Sequence, residues 1–175
     1  YSLVHALLFN KNLRSDLSLD NPYDLVKKGN WTFDTMNAMA VNAIKDLDGN
    51  SVMDGEDRYG YLAHYKEVLP SFWLAADTFS VGKDEEDIPF SNLAGEKFNA
   101  VFNKVFEMFH DTGAWYNGNG ETWNLDIPDF CIEMFGAGQA LFMDTTFHAM
   151  SRMRNISNIQ YGILPYPKWD VNQAE

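Results

Sequence analysis

The run SLVHALLFN, residues 2–10, is almost continuously apolar and rich in branched side chains until it stops at the polar pair Asn10-Lys11. It suits a strand buried on both faces, and such strands occur in sheets that carry helices above and below. Helical periodicity elsewhere supplies the covering elements. In NWTFDTMNAMAVNAIKDL, Met36, Met39, Ala40, Ala43, Ile44 and Leu47 recur on one side, with Thr32 as N-cap and Asp34 in the first turn. This pattern predicts a helix that runs directly into an acidic stretch. RYGYLAHY reads as a second short strand, LPSFWLAADTFSV as a helix with Pro70 near its start and Phe72, Trp73, Ala76 and Phe79 on one side, and GKDEEDIPFSN as a polar loop. The strongest helical stripe is Phe98, Val101, Phe102, Val105, Phe106 and Phe109, stopped by Gly113. WYNGNGETWN is a Gly- and Asn-rich loop, IPDFCIEMF a helix with Pro128 in its first turn, and GAGQALFMD a turn and a strand. TFHAMSRMR reads as a short helix and IQYGILPYP as a last strand broken at Pro165. Strands alternate with helices, so the expected class is α/β or α+β: a small mixed sheet covered by several helices.

At 175 residues the chain is expected to form one globular domain. Its net charge of -12 disfavours nucleic acid and anionic membrane surfaces as partners. The longest apolar stretches fall short of the roughly 20 residues that span a bilayer. A lone cysteine, Cys131, excludes an internal disulfide and a multi-cysteine zinc site, and is expected buried on its helix. A first residue that is Tyr1, with no leader before it, reads as a piece of a longer protein.

The acidic stretch DLDGNSVMDGED matches the spacing of an EF-hand loop. Positions 1, 3, 5, 7, 9 and 12 are Asp46, Asp48, Asn50, the Val52 carbonyl, Asp54 and Asp57, a set of hard oxygen donors suited to Ca²⁺. Two departures would weaken the site: Ser51 stands where glycine is expected, with Gly49 two places early, and Asp57 replaces the longer Glu. Acids at the C-terminal end of a helix face an unfavourable potential that a cation would relieve. The alternative is a well-solvated turn, and both readings stay open; a catalytic cluster would need an apolar cleft that the local sequence lacks. His5, His64, His110 and His148 show no metal-ligand spacing, and Trp115, Tyr116 and Trp123 either cap the core or border a cleft.

Four segments in order resemble family 1 extracellular solute-binding proteins, the maltose-binding-protein-like carbohydrate receptors of ABC importers. They are ALLFNKNL, NPYDLVKKGNWTFDTM, FGAGQALFMDTTFHAM and YGILPYPK. The resemblance implies the second lobe of a two-lobe receptor of the type II periplasmic-binding-protein fold, monomeric, with a sugar held between the lobes and an ABC permease as partner. It implies an extracellular setting, periplasmic or as a cell-surface lipoprotein, no enzymatic activity and no organic cofactor. Some relatives carry a calcium loop at the position of Asp46 to Asp57, where the ion is structural. The cleft-lining stretch implied is Asp144, Thr145, Thr146, Phe147 and His148. A carboxylate there would accept sugar hydroxyls, and an aromatic face would pack on a pyranose. Core packing is the other reading of Phe147. Trp73 and Asp77, read as a helical i, i+4 pair, form a second aromatic-carboxylate candidate, although Trp73 also fits an apolar stripe. Two rival functions remain. A dockerin-like calcium-stabilised interaction module would show two acidic loops, and a glycoside hydrolase fragment would need Asp144 paired with Asp77 or Glu133 across a cleft.

Overall fold

The computed structural model describes residues 4–63, 65–116, 128–147, 150–151, 153 and 159–174. Strand β1 (His5–Asn10) is buried from Ala6 onward, as its apolar run requires. Asn10 ends it by accepting a hydrogen bond from the Leu13 amide at 2.9 Å, which caps α1 (Lys11–Asp16). Asn21 caps α2 (Pro22–Lys27), and Thr32 caps α3 (Phe33–Ala43) through the Thr35 amide at 3.3 Å. The remaining elements are β2 (Tyr59–Leu62), α4 (Tyr65–Ala75), β3 (Val81–Lys83), β4 (Pro89–Ser91), α5 (Glu96–His110), β5 (Trp115–Tyr116), α6 (Pro128–Gly136), β6 (Ala140–Thr146) and β7 (Tyr161–Leu164).

Five strands form one mixed sheet in the order β5-β2-β6-β1-β7. β1 lies antiparallel to both of its neighbours, whereas β2 is parallel to both of its own. One face packs Leu7, Phe9, Tyr61 and Phe142 against Phe33 and Met36 of α3, Phe72 of α4 and Phe109 of α5. On the other face Leu8, Leu62 and Met143 meet Cys131, Ile132 and Phe135 of α6. Helices on both faces are what a doubly buried central strand needs. Phe72 is the hub of the larger layer, its ring 5.2 Å from Phe33, 5.2 Å from Phe109, 5.5 Å from Tyr166 and 6.1 Å from Tyr61. Gly60 lets α3 approach β2 closely: a Cβ there would overlap the backbone of Ala40.

Several expected boundaries shift, each for a local reason. α3 stops at Ala43 because Ile44 turns extended and Lys45 exchanges two 3.0 Å backbone hydrogen bonds with Arg58, so the helix does not run into the acidic stretch. α4 begins before Pro70, which sits inside the helix instead of at its start, and Phe79 falls beyond it and is exposed. The polar loop after residue 80 contains the two-stranded hairpin β3-β4, whose three-residue strands are too short to display a period. In α5 the buried set is Phe98, Val101, Val105, Met108 and Phe109, while Phe102 and Phe106 are 40% and 46% exposed. The stripe is wider than the surface available to cover it. Trp115 and Tyr116 form a short edge strand on β2 rather than a loop. Trp123 and His64 lie outside the described residues, as do His148 and residues 149, 152 and 154 of the helix expected over 146–154.

Candidate functional site

The end of β6 carries the stretch singled out for ligand contact. Asp144, Thr145 and Thr146 stand opposite Leu7, Ala6 and His5 of β1, which fixes which side chains meet. Asp144 turns its carboxylate inward: the side chain is 3% exposed, Oδ1 accepts from the Tyr166 hydroxyl, and Oδ2 lies 3.4 Å from His5 Nδ1. Thr145 is also buried. Where the chain leaves the sheet, the Phe147 amide donates to the Val4 carbonyl at 3.0 Å and the ring is 50% exposed, so it is not core. The phenol of Tyr61, fully buried nearby, is pushed well above 10.0 by burial and then by the proximity of Tyr166 and Asp144. Together these groups make a buried polar knot joining the start of β1, the end of β6 and the chain just after β7, with one aromatic ring left facing out.

Sequence reasoning missed Tyr166 and assigned His5 no special part. The only available signal for Tyr166 was its place between two prolines in LPYP. A groove of about 470 Å³ runs beside it, walled by Trp31, Pro165, Ala75, Lys27 and Lys168. Trp73 and Asp77 are not a helical pair. Because α4 ends at Ala75, Asp77 lies past it with φ 52°, its amide donating to the Leu74 carbonyl at 3.0 Å and its own carbonyl accepting from Lys97 Nζ at 2.9 Å. Trp73 packs 5.5 Å from Phe98 and 6.3 Å from Phe102, in the stripe between α4 and α5.

In the acidic loop, oxygens of Asp46, Asp48 and Asp57 lie within 4.8 Å of one another. Asp57 is wholly buried and anchors the loop, its two oxygens accepting from Leu47 N at 2.8 Å and Asp54 N at 3.0 Å. Asp46 accepts from Gly49 N at 2.6 Å and Ser51 N at 2.8 Å, and the Ser51 and Gly49 amides hold its carboxyl below the usual 3.8. Asn50 donates to Asp48 at 2.7 Å, and its Oδ1 accepts from Val52 N. Asp54 turns to the Glu56 amide and is not one of the three converging carboxylates. Ser51 adopts φ 66° and Gly49 φ 77°, so the position where glycine was expected does take the left-handed conformation, with serine bearing its cost. The unfavourable helix-end potential argued from sequence is already answered, since Arg58 Nε donates to the Ala43 carbonyl at 2.8 Å. Gln139 Nε2 ties the loop to the base of β6 through the Gly55 and Asp57 carbonyls, at 2.9 and 3.2 Å.

Cys131 is buried on α6 as expected, and burial, followed by the charge of Asp144, pushes its thiol up to about 12 from 9.0. With a thiolate fraction about 10³-fold smaller, the folded protein should react with iodoacetamide at pH 8 about that much more slowly than the urea-unfolded chain. Equal rates by mass spectrometry would show that α6 does not shield it.

No family model and no curated protein matches the chain. Among solved structures, an ABC substrate-binding protein from Listeria monocytogenes in complex with cycloalternan is similar at TM-score 0.64 and 11% identity, over 93% of this chain and 37% of that one. The maltose/maltodextrin-binding domain MalE from Bdellovibrio bacteriovorus, bound to maltotriose, is similar at 0.64 and 13%, over 93% and 36%. An ABC transporter solute-binding protein from Thermotoga lettingae bound with α-D-tagatose gives 0.64 and 15%, over 97% and 40%. The chain therefore spans between 36% and 40% of the length of these three proteins, and at such identities the likeness establishes its fold, that of one lobe of the solute-binding-protein architecture.

Proposed function

We propose that this chain is the second lobe of a carbohydrate receptor serving an ABC importer, and that the sugar is held between this lobe and a first lobe. The observation that carries the reading is the superposition of more than nine-tenths of the chain on receptors whose bound ligands include maltotriose and tagatose. The half-exposed Phe147 ring at the end of β6 supports it, because an aromatic face packs against the C–H face of a pyranose. On this reading Asp144 acts through position: tied to Tyr166 and facing His5, it fixes the strand end from which Phe147 projects. Thr145, Thr146 and His148 would extend the contact, with closure by hinge motion between lobes. Trp73 and Asp77 would serve the lobe's structure. The parent protein would be monomeric and extracellular, periplasmic or lipid-anchored, and would deliver its sugar to a permease. No helix among the described residues is long and apolar enough to cross a membrane.

Calcium belongs to the same reading as a structural ion. Hard oxygen donors on Asp46, Asp48 and Asp57 converge closely enough to share one ion, with Asn50, Asp54 and the Val52 carbonyl completing the set after local rearrangement. The expected affinity is roughly 10⁻⁴ to 10⁻³ M. The hydrolase reading fares worse, since Asp144 is bonded inward while Asp77 and Glu133 are exposed.

The test is an amide-resolved NMR titration of the ¹⁵N-labelled chain with maltotriose and with a mixed oligosaccharide pool, in calcium and in chelator. Shifts at Thr145 to Phe147, saturating at millimolar sugar without turnover, are expected. An absence of shifts there would remove the receptor reading, and submicromolar binding would contradict a half-cleft. Calcium-dependent shifts from Asp46 to Asp57 would identify the ion site, and their absence would leave a solvated turn.

A further inference from the structure

Past the Asn10 end of β1, roughly 10 Å at strand rise from the Leu7 that Asp144 faces, a separate cleft of about 360 Å³ opens between α1, α2 and the chain entering β7. Its polar lining is Lys11, Asn12, Arg14, Ser15, Asn21 and Gln160, and no lining residue is acidic. That composition is unexpected in a chain with 25 acidic and 13 basic side chains. Neither cation is neutralised: among the described residues Lys11 and Arg14 form no ion pair. Lys11 Nζ instead sits 5.6 Å from the centre of the Tyr23 ring. Arg14 Nη1 donates to the Leu19 carbonyl at 3.2 Å, while its Nε is buried without a hydrogen-bond partner among the described residues. The local carboxamides are oriented by the backbone, because Asn12 Oδ1 accepts from Gln160 N at 2.8 Å and Asn21 Oδ1 from Tyr23 N at 3.2 Å. With their oxygens so engaged, both carboxamide nitrogens remain as donors.

We infer that this cleft binds a compact oxyanion, a phosphate or carboxylate group, between the Lys11 ammonium and the Arg14 guanidinium. A guanidinium in the cleft wall is suited to an acceptor with two oxygens, and Lys11 in the same wall adds a point charge. The neighbouring carboxamides and the Ser15 hydroxyl can donate to the remaining oxygens. Surrounding negative charge makes the affinity modest and sensitive to salt. This site is independent of the sugar reading and shares no residue with it.

The test is a titration of the ¹⁵N-labelled chain at low ionic strength with inorganic phosphate and, separately, acetate, each against matched chloride. Saturable shifts at Lys11 to Ser15, Asn21, Tyr23 and Gln160 are expected at millimolar concentration, weakened at least tenfold by Arg14→Gln. Lys11→Gln should weaken binding too, which keeps the test decisive if Arg14→Gln fails to fold. Whichever anion saturates at the lower concentration identifies the group the cleft takes. Shifts no greater than with chloride, or equal saturation in both variants, would overturn the inference. So would an equal loss in Lys27→Gln, which lies outside the cleft, because the effect would then be general electrostatics.

Discussion

Phe72→Ala should cost about 3 to 5 kcal/mol, the range for emptying a fully buried aromatic position, and should leave the chain largely unfolded at moderate urea. The side chain has no exposed surface, and its ring meets aromatic rings from α3, β2, α5 and the segment after β7. None of these can collapse into the cavity alone, because each is held by a different element. Urea denaturation of the variant beside Phe72→Leu would measure it: a fall in midpoint at constant slope is the expected form, with the leucine variant losing less. A loss under about 1 kcal/mol in the alanine variant would show that the aromatic layer is not the centre of the fold.

Gly60→Ala should cost about 3 kcal/mol, the upper part of the range for overpacking, although it adds a single methyl group. The new carbon would meet the backbone of Ala40, and backbone cannot rotate aside as a side chain can. Relief would require lifting α3 from β2, and α3 also carries Phe33 and Met36 into the core. The amides of Gly60 and Tyr61 both donate to the Ala114 carbonyl at 2.9 Å, which further restricts β2. A variant with unchanged thermal midpoint would mean that the helix and strand are not in register as described.

What could be read from sequence follows the range of the forces involved. The apolar run of β1, the Thr32 cap and the core positions Met36, Met39, Ala40 and Ala43 follow from nearest-turn chemistry, and each lies where it was expected. The oxygen spacing of the acidic loop was equally visible. Hidden from view was the burial of Asp57, because both groups that bond its carboxylate are backbone amides with no residue signature. Phe102 and Phe106 show the limit of periodicity, which reports the side of a helix but not how much of that side a neighbour covers. At the candidate site the strand that leads to Phe147 was legible in GAGQALFMD. The inward turn of Asp144 was not, since Tyr166 reaches it only because β1 lies between β6 and β7 in the sheet.

That same strand order bears on synthesis. β1 is translated well before the strands that complete both of its edges, which begin at residues 140 and 161. Leu7, Leu8 and Phe9 therefore remain without their final partners until most of the chain has been translated. Such late closure slows folding and leaves an apolar strand open to the wrong neighbour. During that interval the nascent chain is suited to engagement by a holding chaperone or to passage through a translocation channel.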